Sequence, residues 1–296
     1  LGFRKAFRFT NGNQTGGAGT SDYLFLFYQV EAQDIVQSGW NYVSPTSFIT
    51  LSFWVKSSVA QNFYGAVRTQ DGTVRSFPFE TGSLTADTWK KVIIKIPGDS
   101  SNTFNNDSGS GLQIFMWAFR GTDYSGSVTL NQWNTWNTST GTPDYTTTWY
   151  TTNDATLEFT GFQLEVGPEA TAFEHRSFAD ELSLCQRYYY QNTSYGTVAQ
   201  TNSGETINTA GFSGITMYSS TSGRSPFIYH PVMMRAVPTT TFYSASNAAG
   251  GAANLLKEWM QHGMVTFVHN FHVFILHLMK LKIIGKGIYK VSIKKF

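Results

Sequence analysis

The sequence predicts an all-β protein: a jelly-roll β-sandwich, followed by a short helical connector and a smaller, truncated β region. Three observations carry that expectation. Short runs rich in Val, Ile, Phe, Tyr and Thr recur along the first 170 residues, and several alternate apolar with polar positions. Turn residues such as Asp71-Gly72 and Pro97-Gly98-Asp99 separate them, with no long helical period between. The 296 residues include 27 Gly, 24 Phe, 15 Tyr and 8 Trp with only 14% charged side chains, a mixture that favours strands and turns over helices.

The elements follow in order. Phe3, Phe7 and Phe9 share one face of a first strand. Residues 23–28 form a continuous apolar run, as in a strand covered on both sides. Residues 31–39 suit a short helix or turn before Trp40. In the strongest strand, residues 48–56, one face holds Ile49, Leu51, Phe53 and Val55. Strand-like runs at 63–68, 73–77, 89–96, 112–119 and 156–166 complete the sandwich. Lys90, Lys91 and Lys95 read as the solvated side of a strand rather than a nucleic-acid patch. In the closing strand Phe162, Leu164 and Val166 face one way and Gln163 and Glu165 the other, and Gly167-Pro168 ends it. Ser177 with Asp180 forms a capping-box variant for a short helix, with Leu182, Cys185 and Tyr189 on one helix face or just beyond. Residues 187–190, 211–218, 227–235 and 239–243 read as further strands. Pro231 splits the third of these or demotes it to an edge. These apolar strands are candidates for a trimer interface.

Composition breaks near residue 256. Residues 1–256 carry fourteen Lys and Arg against eighteen Asp and Glu, a net of −4, whereas residues 257–296 carry seven Lys and one acid, a net of +6. Four of the six His (His262, His269, His272 and His277) fall in that last segment. A membrane-seeking tail is opposed by the polar residues interrupting 264–284, and a helical His metal site by the i,i+3 and i,i+5 spacings. The favoured reading is a shifted reading frame in AT-rich DNA, which resequencing codons 250–260 tests. The domains expected are therefore 1–176, a sandwich like a carbohydrate-binding module; 177–256, the helix and β appendage; and 257–296, the anomalous tail. Arg4 and Lys5 precede no apolar core, so no signal peptide is visible. The sequence reads as a piece of a longer polypeptide.

Charge and motifs exclude several function classes. A net charge of +2 argues against whole-chain nucleic-acid binding. The single cysteine, Cys185, excludes an intramolecular disulfide and a multi-Cys zinc site, and reads as a small core residue. There is no nucleophile elbow, Walker loop, dinucleotide fingerprint, His-Glu-x-x-His or EF-hand spacing. Glu174, His175 and Arg176 read as an anchored crossover rather than a catalytic group. No catalytic residue and no cofactor is expected. Calcium is left open, since residues 105–109 and 153–154 are oxygen-rich without a defined ligand spacing.

The binding candidates are Tyr124, Trp133, Trp136, Asp144 and Tyr145, on a long polar loop. Aromatic faces stack on the C–H face of a sugar, and Asp, Asn and Thr supply directional hydrogen bonds to its hydroxyls. Core or loop-stapling roles compete with this, for Trp133 and Trp136 in particular.

Ser52-Phe-Trp-Val-Lys56, Thr88-Trp-Lys-Lys-Val92, Trp149-Tyr-Thr-Thr-Asn-Asp-Ala155, Phe162-Gln-Leu-Glu-Val-Gly167, Ala172-Phe-Glu-His-Arg-Ser-Phe178 and Leu184-Cys-Gln-Arg-Tyr-Tyr189 occur in this order. This series resembles the jelly-roll segment of tail-fibre and other virion structural proteins of tailed phages, especially marine cyanophages. The resemblance covers residues 1 to about 245 and implies a non-enzymatic virion appendage, localised to the particle. Its implied partners are other virion proteins, further copies in a homotrimer and a host-surface glycan, with no nucleic acid and no membrane. The competing class is a glycan-depolymerising enzyme or its binding module.

Overall fold

The structure is a computed structural model that describes residues 2–13, 16–190, 216–217, 223–224, 229–239, 242–244, 265–267 and 287–294. It divides into two compact units, residues 1–176 with 275–296, and residues 177–274.

The first unit is a two-layer antiparallel sandwich. Its strands are β1 (Phe7–Thr10), β2 (Tyr23–Glu31), β3 (Phe48–Ser57), β4 (Tyr64–Thr69), β5 (Arg75–Glu80), β6 (Lys90–Pro97), β7 (Ser110–Arg120), β8 (Asn134–Thr135) and β9 (Thr156–Val166). Two short helices, α1 (Ala32–Val36) and α2 (Thr148–Thr151), and a 3-10 turn (Thr138–Thr140) lie between them. One sheet has the order β1-β9-β3-β6. The other runs β2-β7-β4-β5-β8 and continues past β2 with the strand at Gly287–Lys294, so part of the basic C-terminal segment is itself paired.

Alternation builds the core. Ile49, Leu51, Phe53 and Val55 of β3 point inward, as their period of two requires, and all are fully buried. They meet Leu26, Tyr28 and Val30 of β2, Leu112, Ile114 and Met116 of β7, and Phe77 and Phe79 of β5 in one cluster spanning both sheets. Phe53 is the hinge of that cluster. Its ring stacks on Phe162 (centroids 4.9 Å, 15°) and lies 6.2 Å from Phe159 and 6.3 Å from Phe79 of the opposite sheet.

A bulge in β9 allows both Phe159 and Phe162 to face inward. The register against β3 shifts between Ser52 and Trp54, and Gly161 occupies the extra position at φ 62°. A Cβ at Gly161 would sit 2.5 Å from the Phe3 ring. Gly161→Ala is therefore expected to cost about 1–2 kcal/mol, read as a lower urea midpoint, because an L side chain is strained in the left-handed region.

The outer face of the first sheet is polar and tied down. Gln163 donates through Nε2 to Thr171 Oγ1 and Ala172 O and accepts from Glu174 N, and Glu165 accepts from Thr171. Phe173 packs edge-on against both Phe3 and His175. The segment after β9 is thus strapped back over its own strand, a structural use of the residues around Glu174-His175-Arg176. On the same face Glu158, with its side chain 6% exposed, accepts from Arg8 Nε at 2.7 Å and pairs with Lys56. Burial opposes its charge, but the hydrogen bonds from Lys56 and Arg8 hold its carboxyl below the ordinary 4.5. That stabilisation is present above pH 4.5 and is lost as the pH falls through the folded value. Urea midpoints should drop on acidification below pH 4.5, and the drop should be shallower in Glu158→Gln.

The second unit contains α3 (Phe178–Gln186) and two small hairpins, β10 (Thr216–Met217) with β11 (Gly223–Arg224), and β12 (Phe242–Ser244) with β13 (Val265–Phe267). Ser177 caps α3, accepting from Asp180 N at 3.2 Å and donating to its carboxylate at 2.7 Å. Two strand expectations are corrected. Residues 187–190 turn out of α3, and the described part of 227–235 is irregular chain, where Pro231 removes a backbone donor. Residues 211–215 and the tail histidines His262, His269, His272 and His277 lie outside the described residues. Cys185 is buried, and burial together with nearby Glu181 pushes its thiol up to about 12, so it stays protonated and inert. Among the described residues no helix is long and apolar enough to cross a membrane.

Candidate functional site

The outward face of an antiparallel sandwich sheet is ordinarily polar, since it meets water. The outward face of the β2-β7-β4 ladder is aromatic instead. Cross-strand registers arrange it in rows. Phe25, Trp117, Tyr64 and Glu80 form one row; Phe27, Phe115, Ala66 and Pro78 the next; Gln29, Gln113, Arg68 and Ser76 a third. Phe27 stacks on Phe115 at 5.2 Å and 12°, and Phe115 on Trp117 at 5.0 Å and 6°. These three rings form one parallel, offset stack across two strands. Ala66 leaves a hollow beside it, into which Trp136 and Tyr145 pack.

The loop after β7 walls this aromatic face into a groove of about 380 Å³, within the roughly 300–1,000 Å³ of small-molecule sites. The lining combines Tyr23, Phe25, Phe27, Phe115 and Trp117 with Arg68, Gln113, Arg120, Tyr124, Trp136 and Thr138. No carboxylate, imidazole or thiol is among them.

Two guanidinium groups hold the wall in place. Arg68 lies between two rings, 4.8 Å from Phe115 and 4.6 Å from Trp136, and donates to Gln113 Oε1 at 2.7 Å. Arg120, 5% exposed, lies 4.9 Å from the Trp117 ring and 5.4 Å from that of Trp136, and donates to Thr138 O at 2.8 Å. Gly141 lets the loop close over it, because a Cβ there would collide with the Arg120 guanidinium and the Trp136 ring. Burial, reinforced by the like charge of Arg68, brings the Arg120 guanidinium down to about 10. Even so it remains a cation at neutral pH.

The structure separates the five candidates the sequence singled out. Trp136 and Tyr124 line the groove. Trp133 is buried in the core, edge-on to Phe77 at 5.6 Å, with its Nε1 donating to Pro97 O at 2.7 Å. The cause is the pairing of β8 with β5: residues three apart along an extended chain face opposite ways, so Trp133 goes in when Trp136 goes out. Tyr145 is a buttress beneath the loop. Its hydroxyl bonds the backbone of Tyr64 and Trp117, and burial raises it well above its ordinary value. Asp144 is exposed and accepts from Ser125 Oγ at 2.7 Å, away from the groove lining.

Sequence reasoning passed over Phe25, Phe27, Arg68, Gln113, Phe115, Trp117 and Arg120. A signal for them was present. Aromatics at 23, 25 and 27 and at 115 and 117 repeat with period two on the side opposite the core residues. The oxygen-rich stretches serve loop geometry: Asn105 donates twice to Asp71, and Asp107 accepts from Gly109 N. Among the described residues no group of three or more His, Cys, Asp or Glu is placed to hold a metal ion.

Compared with known proteins, the chain matches no family model, no curated protein and no solved structure.

Proposed function

We propose that the chain is a non-catalytic glycan-binding protein that holds sugar rings against the aromatic lining of the groove on the β2-β7-β4 face. The observation that carries this reading is the stack of Phe27, Phe115 and Trp117 lining a groove with hydrogen-bonding groups on its rim. A sugar ring has one C–H face that a flat apolar surface desolvates and an equator of hydroxyls for Gln113, Tyr124 and Thr138. The lining supplies no pair of carboxylates for glycoside cleavage, which favours holding a glycan over cutting it.

The wider setting we infer is a virion appendage, a tail fibre or a related part of a phage particle. The resemblance of the residue series from Ser52 to Tyr189 supports it. Three copies on a fibre would turn weak sugar contacts into firm attachment through avidity. Titrating the chain against a panel of bacterial surface oligosaccharides, with reducing-end release measured in parallel, tests the first statement. Saturable binding without release is expected; release of new reducing ends would replace it with a depolymerase. Finding the chain in the proteome of purified particles tests the second.

A further inference from the structure

The groove has an electrostatic imbalance that stacking on neutral sugars does not explain. Arg68 and Arg120 both line it, and neither forms an ion pair with a carboxylate among the described residues. Buried charges are ordinarily paired, because desolvation without a counter-charge is costly. Here two cations converge on one wall, each packed against Trp136. Arg68 Nε and Arg120 Nη1 are buried and find no hydrogen-bond acceptor among the described residues. Such donors suit an anion, since a guanidinium offers a fork matched to two oxygens.

We propose that the groove selects an acidic glycan, one whose sugar carries a carboxylate or a sulfate. Its ring lies on Phe27, Phe115 and Trp117, and its anionic group sits between Arg68 and Arg120. This rests on the glycan-binding reading above and narrows it to a substrate class. The bound anion supplies the counter-charge that the wall lacks and relieves the repulsion between the two guanidiniums. Trp136 covers both cations on the loop side and keeps the local dielectric low, so the contact is stronger than at an open surface.

The test uses isothermal titration of the full chain with four probes: oligogalacturonate, its methyl ester, a sulfated galactan oligosaccharide and a neutral galacto-oligosaccharide. Methyl esterification removes the charge and leaves the ring, so it isolates the anion. Oligogalacturonate or the sulfated probe is expected to bind at least about tenfold more tightly than the neutral pair, a factor matched by one charged hydrogen bond. Which of the two binds identifies carboxylate or sulfate as the anion. Arg68→Gln, at a half-buried position, and Arg120→Gln are each expected to erase that preference, so that acidic and neutral probes bind alike. Thermal melting of each variant reports whether it is folded, and Arg68→Gln stands as the test should Arg120→Gln fail to fold. Equal binding of acidic and neutral probes, or an acid preference untouched by Arg68→Gln, overturns the inference and leaves the glycan reading intact. Failure of all four probes and of the wider oligosaccharide panel overturns both.

Discussion

Replacing Phe53 by alanine is expected to lower stability by about 3–5 kcal/mol, as measured by urea denaturation, the range for a fully buried Phe that leaves a cavity. Phe53 has no exposed surface and touches Phe159 and Phe162 of β9 and Phe79 of β5, so one side chain bridges the layers. Its removal loses transfer free energy and opens a void that both sheets must relax to fill. Because domains are stable by only about 5–15 kcal/mol, the variant should lie close to unfolding at physiological temperature. Ile93→Ala, at a 53% exposed position on β6, is the matched control and should move stability by less than about 0.5 kcal/mol. A Phe53→Ala loss below that of the control would mean that the two sheets do not share this core.

The second large effect falls on binding. Phe27→Ala on β2 and Trp136→Ala on the loop are each expected to weaken glycan affinity about 30-fold, the size of a hot-spot truncation of about 2 kcal/mol. Phe27 is half-buried and supplies one end of the ring stack; Trp136 is half-buried and closes the other side over Arg68 and Arg120. Neither belongs to the large core cluster, so melting should shift much less than in Phe53→Ala. Trp133→Ala should do the reverse. Its ring packs on Phe77 and its indole N–H bonds Pro97 O, so stability falls. If Trp133→Ala alone abolished binding while Phe27→Ala left it unchanged, the ligand would sit elsewhere.

The layers of the sandwich were legible because apolar alternation in residues 48–56 and at Phe162 and Leu164 is a direct image of the core face. Gly161 disturbed this pattern without hiding it, since the bulge adds one residue and Phe162 resumes the inward face. The groove was half legible. Trp136 and Tyr124 stood out as aromatics on a polar loop, but Trp133 stood out equally and went to the core. Deciding between the two tryptophans needed the pairing of β8 with β5, a contact between residues about sixty positions apart that no local pattern encodes. The continuous run of residues 23–28 was expected to be covered on both sides. The structure places Tyr23, Phe25 and Phe27 along a groove instead, because the loop after β7 covers the sheet only partly. The two arginines were invisible for a similar reason. Arg68 and Arg120 are far apart in sequence and become neighbours only through the β4-β7 ladder and the fold of Trp136 over it.

The most direct test of binding at the aromatic groove is the tryptophan indole spectrum of the isotope-labelled chain, recorded as oligogalacturonate and the neutral galacto-oligosaccharide are added separately. Binding at the groove predicts shifts at Trp117 and Trp136, with Trp40, Trp133 and Trp149 of the core unmoved. Shifts confined to Trp54 on the opposite sheet and Trp89 just before β6, or saturable binding with no change at Trp117 and Trp136, would contradict it.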